Sequence, residues 1–269
     1  MNDIKQPIDP VEIYNRYVRL ESDSKNIVRN EESKGRYSAS GAGLCKRKQW
    51  YSYHDYKKDP TDSQGLRKMR LGSMVGQDFD SAINWFLQSI DGKRVREHDD
   101  PNVNILIEHP VAHDELYLLG HFDLLVIDEK DKGYLYDYKT CHEFTYRKAV
   151  GKILSKTNDK DNYAYQLGTY AFMIEESKDI ICDEIVYMEN IYINKNDSLI
   201  VPKVVDQSYK TLAKEYWKEI QLNQLKDSPP PFGLHNLLPL INGNVKNIVI
   251  TQVIVTHLIN NKKETNENA

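Results

Sequence analysis

A charged turn set between two runs of strand-forming residues constrains this chain more than any other feature. Leu124-Leu125-Val126-Ile127 and Tyr134-Leu135-Tyr136 flank Asp128-Glu129-Lys130-Asp131-Lys132-Gly133. Branched and aromatic residues on both sides of such a turn predict an antiparallel hairpin. Its outer ends carry charge, with Asp123 ahead of the first run and Asp137-Tyr138-Lys139 closing the second. Strand side chains alternate, so Asp137 and Lys139 emerge on one face and Tyr138 on the other. The hairpin carries Asp123 back to the neighbourhood of Asp137, in a register that pattern alone does not fix. Two carboxylates and an ammonium gathered on strands make a site for a hard divalent cation and an activated water. That chemistry points to phosphodiester hydrolysis. The competing reading is a salt bridge between strands, although charge inside a core-compatible strand is costly unless something compensates it.

The remainder of the chain permits this. Its 269 residues suffice for one large domain or two small ones, and 40% hydrophobic with 28% charged residues describes a folded protein. A net charge of −4 gives no global signal for nucleic acid, so a phosphate-binding surface must be local. The 18 tyrosines serve either as core or as platforms for bases. Cys45, Cys141 and Cys182 are too scattered for a disulfide framework or a zinc site, which suits a reducing compartment. The first residues lack the apolar core of a signal peptide and no stretch approaches a membrane span. The expected location is the cytoplasm, or the host cytoplasm for a viral protein.

Asp9-Pro10 predicts a helix start, running to about residue 28. A second helix is expected to open at Ser38 or Ser40 and run through Tyr51. A third, over about 66–90, carries the stripe Leu71, Val75, Phe79, Ala82, Ile83, Phe86 and Ile90 at helical spacing, and so reads as buried. Strands follow at about 103–112, 115–127 and 133–140, a helix at 162–176, strands at 183–194 and 199–204, and a helix at 206–226. Asp227-Ser228-Pro229-Pro230-Pro231 ends that helix. Val245 to Ile259 reads as a last strand or two, with a disordered tail over 260–269. The chain is thus expected to form an N-terminal helical segment (1–65) and a core (66–259), an α/β fold with a mixed central sheet flanked by helices.

Placed on these elements, Glu108, Gly120-His121-Phe122-Asp123 and Asp137-Tyr138-Lys139-Thr140 resemble the core motifs of the PD-(D/E)xK nuclease superfamily. Gln166-Leu167-Gly168-Thr169-Tyr170 is similar to the QxxxY pair of its RecB-like exonuclease branch. The resemblance spans roughly 36–195 and implies a restriction-endonuclease-like core. It implies that Asp123 and Asp137 coordinate Mg²⁺ or Mn²⁺, with the Tyr138 carbonyl as a further ligand, and that Lys139 orients the attacking water. Glu108 is either another acid of the site or an ordinary strand-edge glutamate. Gln166 would position the lysine or the scissile phosphate, and Tyr170 would contact the nucleotide.

Two departures stand out. Many members of the branch carry a metal-binding histidine in a Gly-x-x-x-His pattern, and Gly72-Ser73-Met74-Val75-Gly76 has Gly76 in that place, with Gln77, Asp78 and Asp80 close behind. Beyond Cys182 there is no cysteine, so the four-cysteine iron–sulfur cluster of some members cannot form within one chain. Lys46, Arg47, Lys48, Arg67, Lys68 and Arg70 are expected to meet a DNA backbone, with Trp50 or Tyr51 stacking on a base; the alternative is a solvated basic face. The expected activity is a Mg²⁺- or Mn²⁺-dependent deoxyribonuclease, an exonuclease preferring single strands or DNA ends. Replication, recombination or phage genome processing would suit it, as a homo-oligomer or beside recombination or replication proteins. The alternative is a catalytically silent nucleic-acid-binding or assembly protein on the same scaffold.

Overall fold

A computed structural model describes residues 9–32, 35–56, 59–89, 104–151, 162–224, 226 and 228–230. The chain divides into two compact units, Met1–Pro229 and Pro230–Ala269, and the elements below belong to the first. The strands expected between Val245 and Ile259, and the tail, lie outside the described residues.

Helix α1 (Pro10–Glu32) starts as its first residues dictate. Asp9 Oδ1 accepts from the amides of Val11 at 2.9 Å and Glu12 at 3.2 Å, donors that no helical carbonyl can reach. Further on, strand β1 (Tyr37–Ser38), a 3₁₀ turn (Ala39–Gly41) and helix α2 (Lys46–Tyr53) replace the single helix expected from Ser38 or Ser40. The two serine hydroxyls lie 2.7 Å apart, bonded to each other rather than capping a helix. Helix α3 (Ser63–Ser89) leads to β2 (Asn104–His113), β3 (Leu118–Ile127) and β4 (Lys132–Cys141). A short α4 (Glu143–Ala149), α5 (Asn162–Glu175), β5 (Glu184–Asn194), β6 (Ile200–Val204) and α6 (Ser208–Gln224) complete the unit.

The six strands form one mixed sheet. β4 and β5 run parallel, joined by a crossover through α5, while β2–β3, β3–β4 and β5–β6 are antiparallel. β2 occupies one edge of β3 along its length, leaving the other edge to be shared. β4 takes it from Leu124 to Ile127, and β1 takes it, in parallel, at Leu118 and Leu119. Between those pairings, residues 120–123 face a gap in the ladder.

Helix α5 is buried from Leu167 to Ile174, and fills the space between the sheet and α6. Trp217 donates its indole N–H to Thr169 Oγ1 at 2.9 Å. Gly168 permits this approach, since a Cβ there would stand 2.3 Å from the Tyr209 carbonyl oxygen. Helix α3 covers the opposite face less completely. Phe79 stacks on Tyr138 with ring centroids 4.6 Å apart, yet Leu71 and Phe86, expected in its buried stripe, are 47% and 52% exposed. Phe86, seven residues on from Phe79, shares its side of the helix, so burial is lost along the helix and not only around it; Ile90 lies outside the described residues.

Candidate active site

The gap on β3 is where the charged residues gather. Were the β3–β4 pairing continued past Leu124↔Tyr136, Asp123 and Asp137 would be opposite one another; instead the ladder stops. Asp123 supplies the missing acceptor itself, with Oδ2 taking the backbone N–H of Tyr138 at 2.6 Å. On the far side the β2–β3 pairing passes from Ile107↔Leu124 to His109↔Phe122, skipping Glu108. Glu108 has a φ of +47°, in the left-handed region that side chains seldom occupy. The inward row of β2 shifts across it, from Leu106 to Val111 and His113. A local break in two ladders therefore places Asp123 in the plane of the sheet, with Glu108 across from it.

Asp137 lies on the α5 face, 1% exposed. Lys139 Nζ stands 2.5 Å from its Oδ2, and the Gln166 carboxamide nitrogen stands 3.5 Å from its Oδ1. The same nitrogen donates to the Tyr170 hydroxyl at 3.3 Å, so Gln166 and Tyr170, one helical turn apart, work as a pair. Gly120 makes room for the ring: a Cβ there would lie 2.7 Å from Tyr170 Cε1. Lys139 also sits over the Tyr163 ring, 5.1 Å from its centroid. The structure thus brings Asp123, Asp137, Lys139, Gln166 and Tyr170 together, with Glu108 at the margin.

Their charges are poorly balanced. Burial, then the neighbouring Asp137, pushes the Asp123 carboxyl up to about 8, against the partial relief of Lys139 and the Tyr138 amide. Burial raises Asp137 too, despite Lys139, and burial followed by Asp137 raises Glu108. For Lys139, burial works to lower its pKa, but Asp137 and Asp123 outweigh it and hold it above the usual value. On α3, burial and then Glu108 lift Asp80 to about 6. Asp80 Oδ1 is buried without a hydrogen-bond partner among the described residues. Among the residues that follow Gly76, Asp80 is thus the one whose charge reaches this cluster.

Carboxylates crowded past their neutralising lysine, with Asp80 Oδ1 and Asp137 Oδ2 both buried and without a hydrogen-bond partner among the described residues, suit a divalent cation. Among the described residues no three His, Cys, Asp or Glu side chains are already arranged to hold one. Mg²⁺ needs no such cage, since it binds through one or two carboxylates and fills its shell with water and phosphate oxygens. The residues present fit that mode.

The basic residues fare differently. Lys46 pairs with Glu219, Arg67 bonds Asn15 Oδ1 and Arg70 pairs with Glu21, so the two arginines tie α3 to α1. Arg47 donates to the Tyr51 hydroxyl at 2.9 Å, and Lys48 is exposed. Trp50, expected to stack on a base, is 5% exposed. Its indole N–H donates to the Lys226 carbonyl at 3.3 Å and its ring packs on His54 at 4.1 Å. That ring belongs to the protein interior, because its N–H and its apolar faces are both satisfied there. Tyr170 is likewise enclosed, 3% exposed, and reaches the site through Gln166.

Sequence reasoning passed over Asn190. It sits beside Asp137 on β5 and is fully buried; its signal was a carboxamide in the inward row of Met188, Asn190 and Tyr192.

No protein-family description matches the sequence, and no curated protein matches it. Among solved structures, an alkaline exonuclease from Laribacter hongkongensis is similar at 10% identity and a TM-score of 0.44, over 72% of this chain and 90% of that one. A protein from Eubacterium rectale, named for an inferred exonuclease activity, is similar at 13% identity and a TM-score of 0.47, over 86% of this chain and 97% of that one. Both likenesses are remote, and the chemistry rests on the residues themselves.

Proposed function

We propose that this chain is a Mg²⁺- or Mn²⁺-dependent deoxyribonuclease of the PD-(D/E)xK type, acting as an exonuclease on single strands or DNA ends. The observation that carries the reading is the gap in the β3 ladder, where Asp123 and Asp137 meet Lys139 beneath the Gln166–Tyr170 pair. Asp123 and Asp137 would hold the cation, with the Tyr138 carbonyl, Glu108 and Asp80 as further oxygen donors around it. When bound, the cation would polarise a phosphoryl oxygen and acidify a water. Lys139, leaving Asp137, would orient that water and offset charge developing on the phosphate. Gln166 would fix the Asp137 carboxylate, with Tyr170 holding Gln166 in turn. Of the basic residues on α2 and α3, Lys48 and Lys68 are exposed, and would be placed to meet a DNA backbone.

A silent nucleic-acid-binding protein is the second reading, favoured by the pairing of Lys139 with Asp137 and by the lack of a preformed three-ligand cage among the described residues. End-labelled single- and double-stranded DNA incubated with Mg²⁺, Mn²⁺ or EDTA separates the two. Cleavage that needs the cation and disappears in Asp137→Ala and Lys139→Ala is expected. DNA binding without cleavage in any condition would establish the silent reading.

A further inference from the structure

Asn190 is a buried polar side chain beside the proposed site that the reaction above leaves without a task. It is directly across from Asp137 in the parallel β4–β5 pair, so the two side chains share a face. On its other side the register places Lys203 of β6. The residue is 0% exposed, and neither Nδ2 nor Oδ1 has a hydrogen-bond partner among the described residues. A carboxamide in that position costs stability, whereas leucine, branched in the same way and with the same number of side-chain heavy atoms, would suit the apolar row of Met188 and Tyr192. Its neighbour is compensated mainly by charge: Lys139 Nζ stands 2.5 Å from Asp137 Oδ2, which is buried without a hydrogen-bond partner of its own among the described residues, and Gln166 stands 3.5 Å from Oδ1. That compensation lasts only while Lys139 stays. Once the ammonium turns toward a phosphate or is pushed off by a cation, Asp137 loses its strongest donor and nothing on β4 replaces it.

We propose that Asn190 is a positioning residue for Asp137: its carboxamide N–H₂ donates to the carboxylate when Lys139 departs, keeping that carboxylate aimed at the cation. The inference rests on the nuclease reading for the departure of Lys139, and its test separates the two. Asn190→Leu, with Asn190→Ala in case leucine does not fold, is compared with the wild-type full-length chain in three measurements: metal-free melting temperature, Mn²⁺ binding by electron paramagnetic resonance, and cleavage of labelled single-stranded DNA. The metal-free melting temperature of the leucine variant is expected to equal or exceed wild type. Mn²⁺ affinity and kcat are each expected to fall roughly 10–100-fold, the usual effect of losing a group that orients a ligand, with KM for DNA little changed. Unaltered Mn²⁺ affinity in a folded variant would overturn the proposal, whatever the cleavage result. If the wild type binds Mn²⁺ but does not cleave, the nuclease reading falls, and weaker Mn²⁺ binding by the variant still supports Asn190. A wild type that neither binds nor cleaves overturns both.

Discussion

Gln166 reaches Asp137 with one end of a carboxamide whose nitrogen also touches Tyr170. Replacing it with leucine removes a donor from a carboxylate without changing the fold. Gln166→Leu should cost no more than about 1.5 kcal/mol by urea denaturation, while cleavage slows roughly 10–100-fold; an equal loss in both would make the residue structural. Glu108 offers a sharper separation because its backbone is strained at φ +47°. Glu108→Gly relieves about 1 kcal/mol of strain and deletes an acid, so the variant should melt at the same or a higher temperature yet need more Mn²⁺ for half-maximal cleavage. A strand-edge glutamate without a role would leave the Mn²⁺ requirement alone. The pattern of residues marked Asp123, Asp137 and Lys139 because charge inside a strand demands compensation. It did not mark Asn190, since an asparagine next to Glu189 reads as ordinary strand polarity until its burial is known.

At the scale of elements, the hairpin and α5 were legible because turn chemistry and period act locally. β3 and β4 end within a few residues of their expected bounds, and Gln166 and Tyr170 share the face of α5 that the spacing required. What local rules could not show was competition between distant segments. β1 and β4 share one edge of β3, which opens the gap that seats Asp123; no periodicity encodes that. Helix α4, over Glu143–Ala149, is too short for a periodic signal, and the apolar stripe of α3 overstated its burial. The gap also depends on Tyr170 fitting against Gly120. In Gly120→Ala the new Cβ would meet Tyr170 Cε1 at 2.7 Å and Ala39 Cβ at 2.8 Å, overpacking worth about 1–3 kcal/mol. Calorimetry should find a lower melting temperature, with cleavage falling alongside because the ring must shift; a neutral outcome would mean that β3 is looser here than the packing indicates.

Across the whole molecule the acids set a pH dependence. Asp123 has a carboxyl raised from 3.8 to about 8, so the folded chain keeps a proton that the unfolded chain releases. Metal-free stability should therefore fall as pH rises across that window, in the reverse sense to a salt-bridged carboxylate. Cation binding must displace this proton below the raised value and need not above it, so affinity should grow with pH, up to about tenfold per unit for each proton displaced. Differential scanning fluorimetry should show a larger Mn²⁺-induced rise in melting temperature at about pH 8.5 than at about pH 6; equal shifts would place the ion away from Asp123. Anomalous diffraction from a Mn²⁺-soaked crystal at about pH 8.5 reads the arrangement itself. A peak roughly 2.0–2.6 Å from carboxylate oxygens of Asp123 and Asp137, with Lys139 moved off Asp137, is the expected result. Ordered side chains still joined as Lys139–Asp137, with manganese bound elsewhere or not at all, would contradict it.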